Sequence, residues 1–147
     1  MSEASTLTRD DDGMASRLTR SSSDAHERAV VAAEAAAAKK GEDIAILEVG
    51  DIISIIDCFV LVSATNTRQV KTIVDEVQLA LREHDGSRPL GVEGLDDATW
   101  VLLDFADVVV HVFLDSTRSY YDLDRLWADA PRIDIGDEPV SARQASR

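Results

Sequence analysis

One cysteine, three prolines and no long apolar run stand in the 147 residues of this chain. The single Cys58 excludes an internal disulfide, which fits a reducing compartment. As a nucleophile it would need a base beside it, and His26, His84 and His111 sit in no recognisable motif with it. A buried, small apolar side chain is the better reading. Bases are scarce: Lys and Arg number 15 against 28 Asp and Glu, a net charge of −13. Such a surface repels phosphate backbones, which argues against DNA or generic nucleic-acid binding, and attracts a basic partner. No apolar stretch approaches the roughly 20 residues that span a bilayer. The N-terminus lacks the apolar segment of a secretory signal. A cytoplasmic protein without membrane contact is expected.

Met1 to Ser22 is polar and aperiodic and reads as a disordered extension, residues 1–22. Asp10-Asp11-Asp12 within it is a solvated charge run, since a flexible segment gives three acids no fixed geometry. One folded domain is expected over residues 23–136, with a flexible tail at 137–147. Asp24 and Glu27 have capping-box spacing, and Ala29, Val30, Ala33, Ala36 and Ala37 form a small-residue stripe on the helix that follows. Ile44–Val49 and Asp57–Ala64 read as strands. Asn66 caps a second helix whose apolar face is Val70, Ile73, Val74, Val77 and Leu81, ending near His84-Asp85-Gly86. Ser87 to Asp97 reads as a loop.

Trp100 to Trp127 carries the most information. Two apolar runs, Trp100–Leu103 and Val108–Phe113, read as a β-hairpin. With Phe105-Ala106 as the loop, Asp104 faces Asp107, Leu102 faces Val109 and Trp100 faces His111. Alternation gives one aliphatic face, Val101, Leu103, Val108, Val110, Val112 and Leu114. The other carries Trp100, Leu102, Asp104, Asp107, Val109 and His111. An aromatic anchor within a polar rim is common at interfaces; equally, a third helix, with Tyr120, Leu123 and Trp127 on one side, would bury this face as core. A short strand at Ile133–Ile135 completes the order αββαββαβ. This order implies an α/β (α+β) domain, a mixed sheet of about five strands with three helices.

No catalytic residue, metal ligand or cofactor site emerges. Gly91-Val92-Glu93-Gly94 follows a proline-containing loop and opens no helix, so it is not a phosphate loop. Asp122 and Asp124 point about 200° apart on a helix and cannot share an ion. Asp104 and Asp107 flank a turn, where acids are ordinary. His111, inside an apolar strand, reads as a hydrogen-bonded structural histidine, with no second metal ligand at a recognisable spacing.

An ordered set of short matches nevertheless resembles one family. Asp57-Cys58-Phe59, Thr67-Arg68-Gln69-Val70 and Pro89 through Gly94 precede Trp100, Leu103-Asp104 and Asp107. Val110-His111-Val112-Phe113, Arg118, Tyr121, Leu123, Leu126 and Trp127 follow. Together they are similar to the ribosomal silencing factors (RsfS, or Iojap-like) from about Asp24 to Ile135. The resemblance implies a nucleotidyltransferase-like fold without catalytic carboxylates, and homodimer formation. It further implies binding to the large ribosomal subunit through its basic protein L-fourteen, which blocks the small subunit and represses translation under nutrient limitation. The expected contact residues are Trp100, Leu102, Asp104, Asp107, Val109, His111 and Glu93. The alternatives are a nucleotidyltransferase-type enzyme and a large-subunit assembly factor. The family usually has glycine where this chain has Ala64 and Ala106, and often glutamate at the position of Asp124. Alanine resists the positive φ that a hairpin turn at Ala106 can demand.

Overall fold

A computed structural model of the chain describes residues 24–133. The expected extension, the Asp10–Asp12 run, the tail and the end of the last strand lie outside those residues. Helix α1 covers residues 24–38. Strands β1 (Glu42–Glu48) and β2 (Cys58–Ala64) follow, then helix α2 (Thr67–Asp85), β3 (Gly91–Glu93), β4 (Trp100–Asp104) and β5 (Val108–Leu114). Two short helices, α3 (Asp115–Tyr121) and α4 (Leu123–Leu126), lead to β6 (Arg132–Ile133). The six strands form one mixed sheet in the order β3-β4-β5-β2-β1-β6. Among the described strands, β2 and β5 run parallel, connected through α2, β3 and β4; the remaining pairs are antiparallel.

Helices α1 and α2 cover one face of the sheet. Ala25, Ala29, Ala32 and Ala36 on α1 are fully buried, four small residues at helical spacing that let the helix lie close to the strands. Ala37, expected on that stripe, is exposed. Asp24 is already helical, so it is not the cap its spacing suggested. On α2 the buried residues are the five expected, Val70, Ile73, Val74, Val77 and Leu81. Asn66 Oδ1 accepts from the Gln69 amide at 2.8 Å, and Gly86 closes the helix at φ 79°, a conformation that glycine adopts without strain. Val101, Leu103, Val108, Val110 and Val112 meet these helices, together with Val60 and Val62 of β2. That aliphatic face of the hairpin is core, as the alternation implies.

Three details depart from expectation. The segment expected as a loop contains β3, which pairs with β4 through Gly91↔Asp104, Val92↔Leu103 and Glu93↔Leu102. Three residues containing a glycine give too little pattern to register as a strand. The third helix is broken: Asp122 adopts the left-handed conformation at φ 50°, so the single continuous helix expected to carry Tyr120, Leu123 and Trp127 on one side does not form, and Tyr120 is exposed. The hairpin register also differs. Asp104 faces Val109, Leu102 faces His111 and Trp100 faces Phe113. Phe105 is buried among the helix-side core residues and its amide donates to Val108 O at 2.9 Å. Burial therefore draws Phe105 out of the loop, leaving Ala106 and Asp107 as the turn. Because the slip is two residues, every side chain keeps its face; a slip of one would have inverted them.

Candidate partner-binding face

Among the described residues, the sheet's second face is only half covered. Reading across strands at matched register, Glu93, Leu102, His111, Leu61 and Ala45 form one row. Gly91, Asp104, Val109, Phe59 and Leu47 form the next. Trp100, Phe113 and Ser63 form a third. Trp127 covers the β2 end, its ring perpendicular to that of Phe59 at 4.9 Å. Tyr121 lies against Trp100 with centroids 5.4 Å apart. Behind them Arg118 is buried, its Nη1 donating to Asp43 O at 2.7 Å and Ser63 Oγ at 2.9 Å, which ties α3 to β1 and β2.

Toward the hairpin turn the face opens into a groove of about 840 Å³. Its floor is Phe59, Leu102, Val109 and His111, and its rim includes Ile55, Leu90, Asp104 and Asp107. Ile55 is 79% and Leu90 75% exposed. Large aliphatic side chains left in water beside an apolar floor mark an interaction surface more often than chance exposure does. The loop before β4 is tightly drawn. Gly94, at φ 86°, has no room for a Cβ, which would stand 2.1 Å from the Trp100 carbonyl.

Of the residues expected to meet a partner, Glu93, Trp100, Leu102, Asp104, Val109 and His111 therefore lie on one sheet face. Trp100 is half-buried, neither plain core nor a free anchor. Asp104 Oδ1 accepts from the Ala106 amide at 2.8 Å and holds the turn. Asp107 has another engagement. Its Oδ1 meets Arg28 Nη1 of α1 at 2.6 Å, while Arg28 Nη2 donates to Phe105 O at 3.0 Å. Asp107 thus serves first as a clamp between α1 and the turn, and its charge is largely matched. Beside it, burial and the neighbouring Asp107 charge push the Asp57 carboxyl above its usual range. Phe59, Ile55 and Leu90 line the groove in addition to the residues expected there. Phe59 was findable from the alternation in β2, whereas nothing in the pattern marks Ile55 or Leu90 as exposed.

His111 is 9% exposed. Trp100 Nε1 donates to its Nδ1 at 3.2 Å, and burial pulls its pKa down to about 4, so the ring is neutral at pH 7. Cys58 is buried, and burial followed by the acids Asp57, Glu48 and Asp107 pushes its thiol up to about 12. That rules against a thiolate nucleophile at neutral pH. Among the described residues no group of three or more His, Cys, Asp or Glu is placed to hold a metal ion, and no helix is long and apolar enough to cross a membrane.

Comparison with known proteins assigns this architecture. Over 105 residues the chain is 41% identical to the ribosomal silencing factor RsfS of Bacillus subtilis, spanning 71% of this chain and 88% of that protein. A mouse protein named for mitochondrial assembly of the ribosomal large subunit is 30% identical over 92 residues, 60% of this chain and 40% of its own length. A crystal structure of a Chromobacterium violaceum protein superposes with a TM-score of 0.67 at 38% identity, covering 71% of this chain and 86% of that one. Residues 22–147 match the family model described as ribosomal silencing factor during starvation, and this chain belongs to the ribosomal silencing factor family.

Proposed function

We propose that the chain binds the large ribosomal subunit through the half-open sheet face and prevents the small subunit from joining, so repressing translation. The observation that carries this reading is the groove: an apolar floor of Phe59, Leu102 and Val109 with exposed Ile55 and Leu90 beside it, on a protein of net charge −13. An acidic protein with an apolar patch suits a basic protein with an apolar anchor, the charge speeding encounter and the patch supplying affinity. Protein L-fourteen of the large subunit is the partner proposed, and the cytoplasm is the compartment. The action is steric, with no bond made or broken. A nucleotidyltransferase would need carboxylates converging on metal ions held about 4 Å apart, and Asp104 and Asp107 are instead committed to the Ala106 amide and to Arg28. Dimerisation through the same face would compete with ribosome binding, because one apolar patch cannot be covered twice.

Co-sedimentation with separated subunits tests the reading. The chain should travel with large subunits and not with small ones; equal recovery with both, or with neither, contradicts it. A role in assembling the large subunit is a second reading, favoured by the name of the mouse relative. It could use the same surface. Subunit profiles of growing cells lacking the protein separate the two, since an assembly role leaves immature large particles when nutrients are plentiful.

A further inference from the structure

Beneath the groove floor lies a buried hydrogen-bond donor with no partner among the described residues. An indole N–H can only donate, so the bond from Trp100 Nε1 makes His111 Nδ1 an acceptor. The neutral imidazole then carries its proton on Nε2. That nitrogen is buried and has no hydrogen-bond partner among the described residues. Around it stand groups that cannot accept well: the Phe59 ring at 4.8 Å and the Phe113 ring at 6.3 Å between centroids, with Leu102 and Leu61 beside His111 at matched register. Buried N–H groups are nearly always paired. A resident water is a poor answer, because it needs two to four polar partners and the ring's neighbours Phe59, Phe113, Leu102 and Leu61 are apolar. A carboxylate or phosphate is disfavoured by the acids at the rim, Asp104 and Asp107. What fits is an uncharged acceptor arriving with an apolar side chain.

We propose that His111 is a specificity-determining residue of the docking face, donating from Nε2, once docking uncovers that nitrogen, to a main-chain carbonyl of the large-subunit protein segment that seats an apolar side chain in the groove. The proposal rests on the large-subunit reading above and adds what the groove selects. Apolar contact alone would accept many hydrophobic segments. A buried donor penalises any that bring no acceptor, and that penalty is where discrimination arises.

Two isosteric substitutions separate the donor from the ring. His111→Gln places an amide N–H near the Nε2 position, whereas His111→Asn keeps an acceptor for Trp100 at the Nδ1 position and removes the outer donor. His111→Phe is a second donorless variant that preserves aromatic packing, read alone should the asparagine variant fail to melt cooperatively. Affinity for purified large ribosomal subunits is measured for each, with Leu102→Glu as a groove-blocking control. The proposal expects His111→Gln to bind within about twofold of the unaltered chain, and the donorless variants to bind roughly 10- to 100-fold more weakly. Donorless variants that bind like the unaltered chain, while Leu102→Glu does not, overturn the proposal and leave the large-subunit reading standing. Equal losses in all three His111 variants also overturn it, assigning the effect to ring packing. If the unaltered chain itself fails to bind large subunits, the functional reading falls and this proposal with it.

Discussion

Arg28 on the first helix and Asp107 in the hairpin turn, 79 positions apart, meet at 2.6 Å and hold the turn against α1. The same guanidinium donates to Phe105 O and approaches Asp85 Oδ2 at 3.5 Å, so one side chain joins α1, the turn and the end of α2. Asp107→Asn should therefore act mainly on stability, lowering it by about 1–3 kcal/mol because it weakens a charge-assisted bond to a mostly buried arginine. Asp104 and Glu93 should carry the salt dependence of binding instead. Denaturant melts and association kinetics of Asp107→Asn and Glu93→Gln distinguish these roles. Unchanged stability in Asp107→Asn with slowed association would return Asp107 to the contact rim.

Acid should destabilise the fold through His111. Its folded-state pKa, about 4, lies below the ordinary value of 6.5, so between those values the unfolded chain binds a proton that the folded chain does not. Stability is fully present above about pH 6.5 and falls as the pH drops toward 4, by roughly 3 kcal/mol in all. Chemical denaturation at pH 7 and pH 4.5 reads this directly. His111→Phe should flatten the slope in that window, and an unchanged slope would assign it to carboxylates.

Ala106 sits at φ 78°, in a region that a Cβ makes unfavourable for alanine. Ala106→Gly should relieve that strain, offset in part by the greater freedom glycine has when unfolded. A net gain of about 0.5–1 kcal/mol is expected, visible as a raised melting temperature. A lower melting temperature would mean that the methyl group packs usefully.

Cys58 should be inert. Its burial and its thiol pKa of about 12 leave almost no thiolate at pH 7, so a thiol reagent should label it only as the protein unfolds. Rapid labelling of the native chain would contradict the packing of β2.

The parts of the fold that were legible in the sequence are those with a strong local period. Helix α2, with its Asn66 cap and five-residue apolar face, and the two faces of the hairpin follow from spacing alone. What escaped depends on long-range or unusual backbone geometry. Phe105 leaves the turn because it is buried among core residues from α1, α2 and the sheet. Asp122 breaks the third helix by taking a left-handed conformation that aspartate tolerates. The Arg28–Asp107 pair has no periodic signature. At the candidate site, six expected residues share a face because a two-residue slip preserves the pleat. The extent to which that face is left uncovered is a property of α3 and α4, whose break the pattern does not reveal.

If this face, placed on the large subunit, keeps the small subunit away, the joining reaction itself must show it. Purified large and small subunits are mixed with the chain, and their association is followed by light scattering. The unaltered protein, bound to large subunits beforehand, should suppress the scattering rise, and Leu102→Glu, with a charge in the groove floor, should not. Normal joining by large subunits saturated with the unaltered protein would rule out steric blocking of the small subunit.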